Sequence, residues 1–148
     1  MGSTMRSTYR VLAMLIALGV AVQAMGIALG FFIVLRDVNH GAGFDENTGE
    51  NIGLILHGVV GEMVIPLIAL LFLIVSFFAG IDGGVKWAAI VVGLVALQVL
   101  LAFAASGAPA VGALHGLNAL VLIAVAGIAG RRAVNQAAPS TASTGSTA

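Results

Sequence analysis

The chain has no cysteine and very little charge: six basic and six acidic side chains in 148 residues. Without thiols there are no disulfides, no thiolate metal sites, no iron–sulfur clusters and no haem attached through cysteine. A formal net charge of zero gives no basic patch for nucleic acid, so no nucleic acid partner is expected. So few charges in a chain that is 60% hydrophobic also exclude an ordinary soluble domain, whose surface carries far more of them. What remains is an integral membrane protein. One domain's worth of chain leaves any functional site inside the helical bundle itself.

What is present is four long apolar runs. Residues 1–9 form a polar leader on the cytoplasmic side, as the orientation below requires. No charge then appears between Arg10 and Arg36, which is enough for a first span over about 11–35. Val22-Gln23-Ala24 resembles a signal-peptidase site, but the apolar run continues past it to Phe32, which favours a retained span. A polar, turn-prone connection carries Asp37, His40, Gly41, Gly43, Asp45, Glu46, Gly49 and Glu50. The second span, about 53–79, contains His57, Glu62 and Pro66; the third covers about 87–105 and the fourth about 111–130, where Arg131 and Arg132 stop it. Residues 133–148 are rich in Ser, Thr, Ala and Gly and read as a disordered cytoplasmic tail. The expected fold is therefore all-α, an antiparallel four-helix bundle in the lipid bilayer over residues 10–132.

Basic residues set the orientation. With four spans both termini share one side, and so do Arg6, Arg10, Lys86, Arg131 and Arg132, leaving Arg36 alone opposite. The positive-inside rule makes the shared side cytoplasmic, with Tyr9 and Trp87 as interfacial aromatics, in a cytoplasmic (inner) membrane.

Two tripeptides match: Leu56-His57-Gly58 in the second span and Leu114-His115-Gly116 in the fourth. These spans run parallel, and each histidine lies a similar distance below the start of its span. The odd spans match as well, Ala21-Val22-Gln23-Ala24-Met25 beside Ala96-Leu97-Gln98-Val99-Leu100. The chain reads as two repeated helical hairpins, each a Gln-bearing helix followed by a Leu-His-Gly helix. Such repeat axes often pass through a ligand site. Ionisable side chains inside a span are costly and point to function by default. In a bundle of sequential neighbours with axes about 8–10 Å apart, spans two and four sit on a diagonal too wide for direct His–His contact. A metal between two imidazoles would fill it, and haem iron, with its two axial positions, suits the gap. Gly58, Gly61, Gly112 and Gly116 flank the histidines and leave room for a porphyrin. The plainer alternative is that the histidines are interhelical hydrogen-bond glue and the glycines ordinary close packing. Zinc or copper ranks below both, because no further ligand stands within one turn of either histidine.

Gln23, Glu62, Gln98 and Asn118 are the other polar residues within the spans. Asn118 shares the face of His115 and could support it; Gln23 and Gln98 fit helix bridging. Glu62 lies five residues after His57, about 140° around an ideal helix, which makes it a poor ligand unless a kink before Pro66 re-aims it.

Taken together, the Gln-bearing helices, the Leu-His-Gly helices and Leu114-His115-Gly116-Leu117-Asn118-Ala119 resemble a family of small four-span bacterial membrane proteins of unknown function. The chain is also similar to one four-helix half of haem A synthase, whose halves hold haem between histidines of their second and fourth helices. That resemblance, over about residues 10–132, puts His57 and His115 at the axial-ligand positions. The catalytic half of that enzyme has a glutamate three residues before the histidine and an arginine after it; here Leu54 and Gly58 stand there. The resemblance thus implies a binding or electron-transfer protein rather than an enzyme. The expectation is a b-type cytochrome-like protein holding haem b, with Gly58, Gly61, Gly116 and Asn118 around it and a quinone or redox membrane complex as its exchange partner. A homo-oligomer is compatible with the glycine-rich faces. The alternative is a cofactor-free subunit that docks a larger complex; a transporter is weaker, with Glu62 the lone carboxyl in the spans.

Overall fold

The computed structural model describes residues 2–43 and 50–136. Asp45, Glu46 and Gly49 of the long connection, and the tail from residue 137, lie outside the described residues. The chain is helical almost throughout: α1 spans Gly2–Asn39, α2 Ile52–Val59, α3 Ile65–Ser76, α4 Gly84–Gly107 and α5 Val111–Asn135. A single π-helical turn, Val60–Val64, joins α2 to α3, so these three pieces make one span. All four spans are long and apolar enough to cross a bilayer.

Local chemistry explains where the helices begin and end. Asn51 caps α2, its side-chain oxygen accepting from Leu54 N–H at 3.1 Å, while its amide donates to Gly30 O of α1 at 3.4 Å. Gly80 and Gly83 take positive φ in the tight turn between α3 and α4, a conformation that other residues adopt only at a cost. Two expectations need correcting at the basic end. The leader is part of α1, which starts at Gly2, and the first residues of the supposed tail continue α5 to Asn135. Both extensions are held in place. Arg6 donates to Gln136 O at 2.9 Å and Gly80 O at 3.0 Å, Asp82 N–H donates to Gln136 Oε1 at 2.9 Å, and Arg132 lies 5.0 Å over the Trp87 ring.

The helices pack in a ring. α1 lies against α2, α3 and α5, and α4 against α3 and α5, so the second and fourth spans are diagonal partners. The core is confined to the basic half. Tyr9, Ile16, Phe72, Val91 and Leu122 are its fully buried large side chains, with Tyr9 and Phe72 ring centres 4.4 Å apart. Ala13, Ala69, Ala88, Ala126 and Ala129 are buried between them. In lipid, packing rather than expulsion of water joins helices, and small residues let backbones approach. Large apolar side chains such as Met25, Phe32, Phe78 and Phe103 face outward, as a lipid-facing surface requires.

The other half is organised differently. In α4 the buried residues stop at Val95, and in α5 they start only at Asn118. α2 rests on α1 through a glycine contact: a Cβ added at Gly53 would come within 2.6 Å of Gly26 O and Gly30 Cα. The bundle is therefore closed at its basic end and parts toward the other into two hairpins with a cavity between them.

Candidate functional site

The cavity, of about 240 Å³, is lined by all four spans and is mainly apolar. Its polar wall consists of Gln23, His57, Glu62, Gln98 and His115, and Gly61 and Gly116 also line it. Gly58 does not line the cavity, and a Cβ there would meet open space, so the expected place for it beside a ligand is not where it lies. Gly112 is also off the cavity wall.

The two histidines meet. Their ring centres are 6.1 Å apart at an interplanar angle of 61°, and no hydrogen bond joins them among the described residues. They are thus at one depth, as the matched tripeptides require. The expected diagonal was too wide for the rings to come this near, so the gap between them is narrower than expected.

Each ring is anchored in the same way. His57 Nδ1 lies 3.1 Å from Gln23 O, and His115 Nδ1 lies 3.0 Å from Gln98 O. A carbonyl only accepts, so in both rings Nδ1 carries the proton and donates it. That leaves the lone pair of each ring on Nε2. The hairpin repeat read from the sequence is thereby reproduced at the level of single hydrogen bonds. Each glutamine supplies the backbone carbonyl that orients the histidine of the following span.

The side-chain amides break the symmetry. Gln23 Nε2 makes only a long contact to Leu56 O, 3.5 Å. Gln98 Nε2 donates to His115 O at 3.0 Å and lies 3.0 Å from His115 Nε2. Asn118 holds that amide, donating from Nδ2 to Gln98 Oε1 at 2.6 Å and to Leu94 O at 3.0 Å. Asn118 is buried and is not on the cavity wall; it supports Gln98 rather than touching the cavity.

Glu62 is where the helix irregularity matters. Pro66 has no N–H, and its ring crowds the carbonyl four residues back, that of Glu62. The turn before it widens, Ile65 N–H bonding to Val60 O five residues earlier. The widened turn rotates the positions within it relative to those of α2. Glu62 consequently joins His57 on the cavity wall instead of pointing away from it. The proline was legible in the sequence; the π-turn it produces was not. The glycine contact of Gly26, Gly30 and Gly53 was also missed, although Gly26-Ile27-Ala28-Leu29-Gly30 has the small-xxx-small spacing of close helix pairs.

His40 lies at the far end of α1 and is exposed, away from the pair. No cluster of three or more His, Cys, Asp or Glu that could hold a metal occurs among the described residues. Compared with protein-family models, curated proteins and solved structures, the chain matches none.

Proposed function

We propose that this chain is a membrane b-type haem protein, with His57 and His115 as axial ligands and electron transfer or haem handling as its role. The observation that carries the reading is the pair of imidazoles, 6.1 Å between ring centres, each donating Nδ1–H to a carbonyl. An imidazole–metal bond of about 2 Å and roughly 1.1 Å from nitrogen to ring centre put two trans imidazoles about 6.2 Å apart. The 6.1 Å between ring centres is close to that spacing. A donated Nδ1–H is the usual way proteins fix the tautomer and orientation of a ligating histidine. Bound haem would supply one-electron exchange at its iron, and two nitrogen ligands favour that over oxygen chemistry. The cavity is smaller than the roughly 300–1,000 Å³ of typical ligand sites. Loading a whole macrocycle therefore parts the two hairpins, at the end where they are least joined.

The basic end is cytoplasmic on this reading, which puts both termini inside and the histidine pair in the outer half of an inner membrane. One layer of ligands cannot carry electrons across a core about 30 Å thick, so the exchange partner is a quinone or a redox complex reached from the outer side.

A visible spectrum of the purified protein tests the proposal. Reduced-minus-oxidised α and Soret bands are expected, with bis-histidine ligation abolished in His57→Ala and His115→Ala and unchanged in His40→Ala. Loss of haem in His40→Ala alone would overturn the assignment. The Gln98–Asn118 network favours a second reading, since it satisfies the His115 ring without any ligand. A colourless preparation from haem-sufficient cells would select that one, a cofactor-free subunit docking a larger complex.

A further inference from the structure

We infer that the two imidazoles are unequal partners: His57 is the standing ligand, and His115 an exchangeable one whose coordinating nitrogen is contested by the Gln98 amide. The inference rests on the haem reading above and deepens it. The directions of the hydrogen bonds around His115 leave no freedom. Leu94 O can only accept, so the Asn118 atom beside it is the amide nitrogen, and that nitrogen also donates to Gln98 Oε1. With its oxygen so fixed, Gln98 turns its own amide nitrogen toward His115, where it donates to the backbone carbonyl. The same nitrogen stands 3.0 Å from His115 Nε2, the atom that a metal would need. His115 Nδ1 faces Gln98 O, so Nε2 holds a lone pair and accepts.

Nothing equivalent protects His57. The residue three positions after it is Val60, where the second hairpin has Asn118, so no side chain orients the Gln23 amide. That amide reaches only Leu56 O, and His57 Nε2 has no hydrogen-bond partner among the described residues. A metal entering the cavity meets a free lone pair on one side and an occupied one on the other. Binding through His115 requires the Gln98 amide to give up one hydrogen bond, and the amide can take it back. A device of this kind suits a protein that hands haem on, because one axial bond can be released without unfolding the site.

Haemin titrated into the haem-free protein in detergent tests this, with ferrous carbon monoxide binding as a second reading. His115→Ala should retain haemin in a five-coordinate, high-spin form, while His57→Ala should weaken haemin binding at least tenfold more. Asn118→Ala and Gln98→Ala free the His115 nitrogen. Both should raise the low-spin fraction and slow carbon monoxide binding by about two- to tenfold, the range one net hydrogen bond supplies. Equal losses in the two histidine variants, or unchanged carbon monoxide kinetics in both amide variants, would overturn the inequality while leaving haem binding intact. A wild-type protein that takes up no haemin would instead sink the haem reading, and the inference with it. Should the amide variants not fold, nitrogen NMR of haem-free wild type decides: His115 Nε2 is expected to show a hydrogen-bonded shift and His57 Nε2 a free one. Identical shifts would refute the inference.

Discussion

Gly53→Ala is the most informative single substitution. The added Cβ would run into Gly30 N and sit 2.6 Å from both Gly26 O and Gly30 Cα, at least about 0.8 Å inside ordinary van der Waals contact, and the obstacles are backbone atoms that cannot rotate aside. α2 must therefore move off α1. His57 is one helical turn further along the same face, and a Cβ at Gly26 would already touch its backbone. The displacement carries His57 Nδ1 away from Gln23 O, now at 3.1 Å, beyond hydrogen-bond range. Overpacking costs about 1–3 kcal/mol and the lost hydrogen bond about 0.5–1.5 kcal/mol. Replacing a helical glycine by alanine returns about 1 kcal/mol of helix propensity, so the unfavourable terms win by roughly 0.5–3.5 kcal/mol. At about 2–4 °C per kcal/mol for a chain of this size, the melting midpoint in detergent should fall by roughly 1–14 °C. Gly58→Ala and Gly116→Ala are the matched controls, since a Cβ at either position meets open space. They gain propensity without a clash and should melt at or slightly above wild type. If Gly53→Ala were as stable as Gly58→Ala, the close crossing of α1 and α2 would be wrong, and with it the anchoring of His57.

Three further outcomes are expected. Arg6→Ala removes two charge-assisted bonds to the carbonyls of Gln136 and Gly80; discounted for partial exposure, the loss is about 1–3 kcal/mol, read as a lower melting midpoint, and a neutral result would show that the basic end is not fastened this way. Pro66→Ala restores the missing N–H, so the π-turn should revert to α-helix and swing Glu62 off the cavity wall. The chain has no native cysteine, so Glu62→Cys can be labelled uniquely: the thiol should react with a cavity-entering maleimide when Pro66 is present and several-fold more slowly with Pro66→Ala, and equal rates would dissociate the proline from the turn. Gln98→Ala should destabilise the second hairpin more than Gln23→Ala does the first, because Gln98 makes three short side-chain contacts and Gln23 one long one; thermal unfolding of the two variants in the same detergent checks the order.

The sequence by itself determined the four spans, their all-helical character and the matching of the two hairpins. Those properties follow from where charges are absent and from which residues recur, and neither depends on distant contacts. It also brought His57 and His115 to one depth, because depth is counted along a helix of fixed rise. Only the tertiary structure decided the rest. The separation of the rings depends on how far the hairpins part, which the glycine contact of Gly26, Gly30 and Gly53 sets at one end and the Arg6 fastening at the other. Glu62 reached the cavity because a widened turn adds a residue to the helix, which counting by an ideal period cannot foresee. The inequality of two histidines in matching tripeptides came from Asn118 holding an amide across a helix interface, a contact that exists only once α4 and α5 are packed.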